Sequence, residues 1–234
     1  ARRSLTFVNS HVLYRQLQGK IKSLVETHTT TLTETDFFQR EDTCQISPYH
    51  LLYTGRIDRA KGIFDIVEAT ALLVNQGYDL IFDMVGMIEK GNHILDEVKE
   101  RASSLGIEER VCYHGYRQLG SALFTFYKNA DIYVIASQSS FEGFPRTIWE
   151  AMANSLPVVA TKVGSIPDFV SEAAILVEPK NSYDLAAGIV QLIDSRSLRQ
   201  EYIAKGLTLA HQNSLEKQVG KMTDIMRKWV VPQS

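Results

Sequence analysis

From His50 onward the chain alternates short β-branched and aromatic runs with amphipathic helical patterns, which restricts it to a parallel sheet covered by helices on both faces. Strands are expected at 51–54, 80–85, 111–113, 132–135, 158–161 and 174–177. The first helix between them is the plainest. Ile63, Ile66, Val67, Thr70, Leu73 and Val74 recur on one face, and Gly77 follows as a stop. Further helices are expected over 94–105, over 121–129, from about Pro145, over 183–193 behind Asn181 and Ser182, and over 198–209. The result is an α/β, Rossmann-like sheet occupying residues 46–212.

The flanks read differently. Residues 1–45 show no βαβ rhythm, only an amphipathic stretch over 12–25 and the β-prone run Thr29-Thr30-Thr31-Leu32-Thr33. They are either an added layer or part of a neighbouring domain. At the other end, over 213–234, Leu215, Val219, Met222, Ile225, Met226 and Trp229 form an apolar stripe at helical spacing, so a final amphipathic helix must pack on something. The opening Ala1-Arg2-Arg3 has neither a methionine nor an apolar signal segment and reads as part of something longer.

Composition removes several classes of function. The 25 Lys and Arg nearly cancel the 27 Asp and Glu, leaving no basic field for a nucleic acid. No apolar run approaches the roughly 20 residues of a membrane span. Two cysteines, Cys44 and Cys112, far apart and without metal-ligand spacing, suit a reducing compartment, so a cytoplasmic protein is expected. Cys112 reads as a small buried hydrophobe within its strand. There is no Asp-x-Asp clamp, no His-x-x-x-His pair, no Gly-x-Ser-x-Gly and no Gly-x-Gly-x-x-Gly, so neither a catalytic metal nor a nicotinamide cofactor is expected. His114, the histidine nearest the strand ends, reads as structural.

Ligands of open parallel sheets sit outside the carboxyl ends of the strands. After the first strand comes Gly55-Arg56-Ile57-Asp58-Arg59-Ala60-Lys61-Gly62, where cations and glycines precede a helix whose dipole favours an anion. This is either a phosphate site or a solvated turn with Asp58 paired to an arginine. Ala-Lys-Gly does not fit a P-loop, which needs Ser or Thr directly after Gly-Lys. After the fourth strand comes Glu142-Gly143-Phe144-Pro145-Arg146-Thr147-Ile148-Trp149-Glu150. Pro145 suits a helix start, and the amides of Gly143, Phe144, Arg146 and Thr147 would form a metal-free anion site. Glu142 and Glu150 could accept from ligand hydroxyls on either side of a phosphate. Alternatively Glu142 is a capping carboxylate and Glu150 pairs weakly with Arg146, four residues earlier. The turn 163–168 is either another phosphate-side turn or an αL turn with a helix cap, and the latter is favoured. Gly86-Met87 and Gly115-Tyr116-Arg117 complete the rim, where aromatic and backbone groups could hold a base.

Gly55-Arg56, Lys61-Gly62, Glu142-Gly143-Phe144-Pro145, Glu150-Ala151-Met152-Ala153, Pro157 to Thr161 and Gly164 resemble, in order and spacing, the C-terminal domain of the group 1 retaining glycosyltransferases. That resemblance implies one half of a GT-B architecture, with a UDP-, GDP- or ADP-sugar donor bound without a cofactor or metal. It implies that Arg56 and Lys61 neutralise the diphosphate and leaving group, and that Glu142 meets the donor sugar. Gly143 and Phe144 would offer amides, Thr147 would lie at the phosphates and Glu150 would hold the ribose. Residues 1–45 would be linker and remnant of an acceptor domain that takes a sugar or lipid-linked acceptor, and the last helix would pack back toward it. Such an enzyme is cytoplasmic or peripheral to a membrane, and this portion alone would bind donor without transferring it. Arg146, Ser155, Ser165 and Met87 depart from the family's usual residues. A non-catalytic nucleotide-sugar-binding module on the same fold is the alternative.

Overall fold

The computed structural model describes residues 4–9, 11–28, 30–139, 143–170 and 172–230. The chain opens with a small unit of β1 (Thr6–Val8), α1 (His11–Leu17) and β2 (Leu24–Glu26). β1 and β2 pair in parallel, Thr6 beside Leu24, so a βαβ arrangement exists where the sequence showed none. Strands of three residues are too short to display an alternation. The 12–25 stretch is helical only as far as Leu17, because the chain turns at Gly19 with φ +81°. No strand forms over 30–33.

The segment over 30–48 then runs onto the main body and is fastened there. Arg199 grips Asp42 with two bonds, Nε to Oδ1 at 2.7 Å and Nη2 to Oδ2 at 3.0 Å. Arg199 Nη1 donates to the carbonyls of Leu192 and Ile193 at 2.8 and 2.7 Å. Asp131 receives the amides of Cys44 and His50 at 2.6 and 2.9 Å.

The body contains β3 (Tyr49–Thr54), α2 (Ile63–Asn75), β4 (Leu80–Val85), α3 (Ile94–Ser104), β5 (Val111–Tyr113), α4 (Ser121–Asn129) and β6 (Ile132–Ile135). It continues through α5 (Arg146–Ala153), β7 (Val158–Thr161), α6 (Ile166–Val170), β8 (Ile175–Val177), α7 (Ser182–Asp194), α8 (Arg196–Gln212) and α9 (Leu215–Val230). Six strands form one parallel sheet in the order β5-β4-β3-β6-β7-β8. α2 packs against α3 and α7, and α5 against α8, so both faces are covered. This coverage is why β6 and β7 are buried at every position instead of alternating. On α2 the stripe Ile63, Ile66 and Leu73 is fully buried, each side chain contributing about 1.5–3 kcal/mol by leaving water. Asn181 caps α7 by accepting from the Asp184 amide at 3.1 Å. Gly164 takes the expected αL conformation, and the turn leads into the five-residue α6.

Two expectations shift. Cys112 lies on the edge strand β5 and is partly exposed. The stripe on α9 is only half covered. Gln218 is buried against the chain near His28, while Leu215, Val219 and Met226 stay exposed. Among the described residues no helix is long and apolar enough to cross a membrane.

One cluster centred on the buried Asp83 ties three strand segments together. Asp83 on β4 accepts from His50 Nδ1 on β3 and from His114 Nε2 just after β5, each at 2.6 Å. Burial alone would raise the Asp83 carboxyl, but the two histidine bonds outweigh it and hold its pKa below the ordinary value. The bond to Asp83 likewise raises the His50 pKa against its desolvation. Asp83 stabilises the fold above its unfolded pKa of about 3.9, and that contribution is lost as pH falls through the lowered folded value. His50 stabilises fully below about pH 6.5, and its contribution is lost as pH rises through the raised folded value. Asp83→Asn is therefore expected to cost about 1–2 kcal/mol near pH 5–6, part of the pair being screened by solvent at His50. Urea midpoints measured across pH check this, and a cost that stays the same from pH 5 to pH 8.5 would sink it.

Candidate functional site

The strand order reverses between β3 and β6, which places the ligand crevice outside their carboxyl ends. The backbone there is drawn tight. The Gly55 amide donates to the Val85 carbonyl at 3.0 Å, and the Gly86 amide to the Gly115 carbonyl at 3.1 Å. Gly62, at φ +69°, precedes α2, and a Cβ on it would stand 1.9 Å from the Ala136 carbonyl oxygen. The segments after β3 and β6 thus meet backbone to backbone, as only glycine allows.

The crevice has two adjoining lobes. One, of about 300 Å³, has apolar walls from Val85, Met87, Leu119 and Leu123, with Thr31, Tyr116 and Arg117 at its rim. The other, of about 440 Å³, is bounded by Lys61, Phe144 and Pro145. Thr54, Gly55, Arg56, Arg146, Thr147 and Glu150 line both. The fold therefore gathers Gly55, Arg56, Lys61, Tyr116, Arg117, Phe144, Pro145, Thr147 and Glu150 as the sequence anticipated. Gly143 is exposed on the approach to α5 and outside both linings. Glu142 lies outside the described residues.

Local chemistry explains each position. Asp58 accepts from the Lys61 amide at 3.1 Å, closing the short turn Arg59–Lys61 that carries Lys61. Arg56 is held on both sides, Nε to Asp58 at 2.6 Å and Nη1 to Glu89 at 3.3 Å, so the pairing of Asp58 with an arginine is real. Arg117 reaches over the Phe126 ring, 5.7 Å from its centre. Pro145 immediately precedes α5, so the amides of Arg146 and Thr147 fall in the turn that has no intrahelical acceptor. The Phe144 ring packs on Trp149 at 4.2 Å and edge-on to Phe169 at 5.3 Å, anchoring the chain ahead of the helix.

Glu150 is 6% exposed and forms no ion pair with Arg146 within 4 Å. Its Oε2 accepts from the Tyr127 hydroxyl at 2.7 Å. A phenol has one proton, so Thr54 Oγ1, 2.5 Å from Tyr127, must be the donor in that contact. With its one proton on the 2.7 Å contact to Thr147 Oγ1 and not on the 3.3 Å contact to the Thr54 carbonyl, Tyr133 leaves Thr147 its own proton for another acceptor. Burial raises the Glu150 carboxyl above its ordinary pKa, the Tyr127 bond and the Arg146 charge opposing it. Burial, and then the adjoining Glu150 charge, push the Tyr127 phenol far up, so it remains a donor. The arrangement presents one carboxylate oxygen and one hydroxyl proton where the lobes meet.

The family model of glycosyl transferases group 1 matches residues 38–208. The chain belongs to that family. The capsular polysaccharide biosynthesis glycosyltransferase CapM of Staphylococcus aureus is 28% identical over 150 residues, covering 63% of this chain and 37% of CapM. The crystal structure of Anabaena HepE in complex with UDP has a TM-score of 0.82 at 20% identity, covering 96% of this chain and 64% of that one. The C-terminal domain of the group 1 glycosyl transferase LpcC from Francisella tularensis has a TM-score of 0.68 at 26% identity, covering 79% of this chain and 99% of that domain. The chain spans about a third of the curated relatives it matches. The sheet of this group 1 glycosyltransferase chain is the Rossmann-like half of a GT-B architecture.

Thr54, Tyr127 and Tyr133 were not anticipated as site residues. Each sits in or beside an apolar run and reads as core. The one available signal is that a buried tyrosine hydroxyl needs a polar partner.

Proposed function

We propose that this chain is the donor-binding half of a retaining, metal-independent glycosyltransferase that moves a sugar from a nucleoside-diphosphate sugar to an acceptor. The observation that carries the reading is the buried Glu150 carboxylate at the junction of an apolar lobe and a cation-rimmed one. A base suits the apolar lobe, ribose hydroxyls suit the free oxygen of Glu150, and the diphosphate suits Lys61, Thr147 and the start of α5. As the bond from sugar to phosphate breaks, negative charge grows on the diphosphate, where fixed cations and helix amides lower the barrier. By family likeness Glu142 faces the donor sugar. In this reading Lys61 and the start of α5 supply the charge compensation.

The unit β1-α1-β2 is then the near edge of an acceptor domain, and α9 packs back toward it. The likeness to HepE bound to UDP makes a uridine nucleotide the first to test. The polysaccharide role of CapM favours a sugar or lipid-linked acceptor and a cytoplasmic site of action.

Calorimetric titration with UDP, GDP and ADP, each with and without magnesium, tests this directly. One diphosphate is expected to saturate the site equally in both conditions. Lys61→Ala is expected to weaken it at least about ten-fold, some 1.4 kcal/mol, while leaving the free nucleoside unchanged. Unaltered diphosphate affinity in that variant would count against the site.

A further inference from the structure

We propose that Thr31 supplies a hydroxyl that binds the nucleoside of the donor in the apolar lobe, alongside the carboxylate of Glu150. The assignment rests on the nucleoside-diphosphate reading above, and it extends the site to a residue that precedes the 38–208 match to the family.

Thr31 lines the apolar lobe and not the cation-rimmed one, so its partner belongs to the nucleoside and not to a phosphate. Among the described residues it makes no hydrogen bond, through either its side chain or its backbone. Its neighbours differ. Thr30 Oγ1 accepts from the Leu32 amide at 3.1 Å, and the Thr33 amide and hydroxyl both donate to Asp36 Oδ2 at 2.7 Å. Leu32 is buried, and its carbonyl accepts from the Leu215 amide at the start of α9, at 2.7 Å. Just ahead of the same helix, Ser214 Oγ donates to Glu34 Oε1 at 2.7 Å. The segment is thus pinned on both sides of Thr31, which leaves that residue's donor and acceptor open and fixes them before a ligand arrives.

The lobe needs such a group. Val85, Met87, Leu119 and Leu123 can cover the faces of a base, but their side chains offer no N–H or O–H to its polar edge. The Thr54 proton and Oε2 of Glu150 are both spent on Tyr127, and Arg117 Nη1 is spent on the Tyr116 carbonyl. A threonine hydroxyl both donates and accepts, which suits the polar atoms of a nucleoside. The charge of Asp36 is felt at the Glu150 carboxyl, so a second observation sets this segment against the same crevice.

Wild type, Thr31→Val and Thr31→Ser are titrated with UDP, and uridine and pyrophosphate are measured by displacement of UDP; if GDP or ADP binds more tightly, it and its own nucleoside replace these. Thr31→Val keeps the shape and loses the hydroxyl. It is expected to weaken UDP and uridine by the same factor, about five-fold, with pyrophosphate unchanged. Thr31→Ser keeps the hydroxyl and is expected to stay within about two-fold of wild type. Unchanged UDP or uridine affinity in Thr31→Val would overturn the assignment. An equal loss in Thr31→Ser would also overturn it, because the methyl group and not the hydroxyl would then matter. A loss shared by pyrophosphate would do the same and move Thr31 to the phosphates. Failure of the wild type to bind any nucleoside diphosphate would overturn the reading of the site, and this assignment with it.

Discussion

Gly86→Ala is expected to remove about 3 kcal/mol or more of folding stability, a large fraction of the total for a domain of this size. A Cβ at position 86 would stand 1.6 Å from the Gly55 carbonyl oxygen and 2.7 Å from its carbon. No side chain can swing aside, because both atoms are backbone. The backbone cannot easily shift either. Gly55 is bonded to Val85, Gly86 to Gly115, and the Gly86 carbonyl accepts from the Tyr113 hydroxyl at 3.0 Å. Relief requires parting the carboxyl ends of β3 and β4, which also opens the apolar lobe of the site. Gly77→Ala is the comparison, since that glycine has φ +97° but nothing within 4 Å of where its methyl group would stand. It should cost only about 1–2 kcal/mol of backbone strain. Urea denaturation of both variants checks the contrast, and a Gly86→Ala midpoint equal to that of wild type would refute it.

The fold and much of the site could be read from the sequence because their signals are local. The unbroken apolar runs at 132–135 and 158–160 announce strands covered on both faces, and the stripe from Ile63 to Val74 announces α2. Once strands and helices alternate, the strand-end rule points to the loops that carry Gly55, Lys61, Thr147 and Glu150, and the family resemblance singles out those residues. What escaped notice depends on contacts between distant residues. β1 and β2 have three residues each and are defined only by pairing with one another. The spacing of Arg146 and Glu150 fits a surface pair, but spacing cannot say that Glu150 turns inward to a tyrosine 23 residues earlier. Nothing in the sequence places Glu89, from after β4, beside Arg56.

The inward turn of Glu150 makes Tyr127 a positioning residue, and Tyr127→Phe is expected to weaken nucleoside diphosphate binding about ten-fold near neutral pH. The phenol fixes Oε2 of Glu150 at 2.7 Å and so aims the other oxygen into the crevice. Ribose hydroxyls need the ionised carboxylate as acceptor, whereas the carboxyl's own pKa is already raised by burial. The Tyr127 bond is the largest influence opposing that rise, so its removal raises the pKa further. Binding in the wild type should weaken as pH falls through the raised Glu150 pKa, and in the variant that decline should begin at higher pH. Stability has the opposite sign. A carboxyl with a raised folded pKa destabilises once pH climbs past its unfolded value of about 4.3, so Tyr127→Phe should lose more stability at pH 7 than at pH 4. Tyr133→Phe separates this from loosened packing. It removes a buried hydroxyl bonded to Thr147 and leaves the Glu150 bond intact, so it should lower affinity without moving the acid limb. Calorimetric titrations from pH 5 to pH 8 decide the matter, because overlapping pH profiles for Tyr127→Phe and Tyr133→Phe would mean that neither hydroxyl governs the state of Glu150.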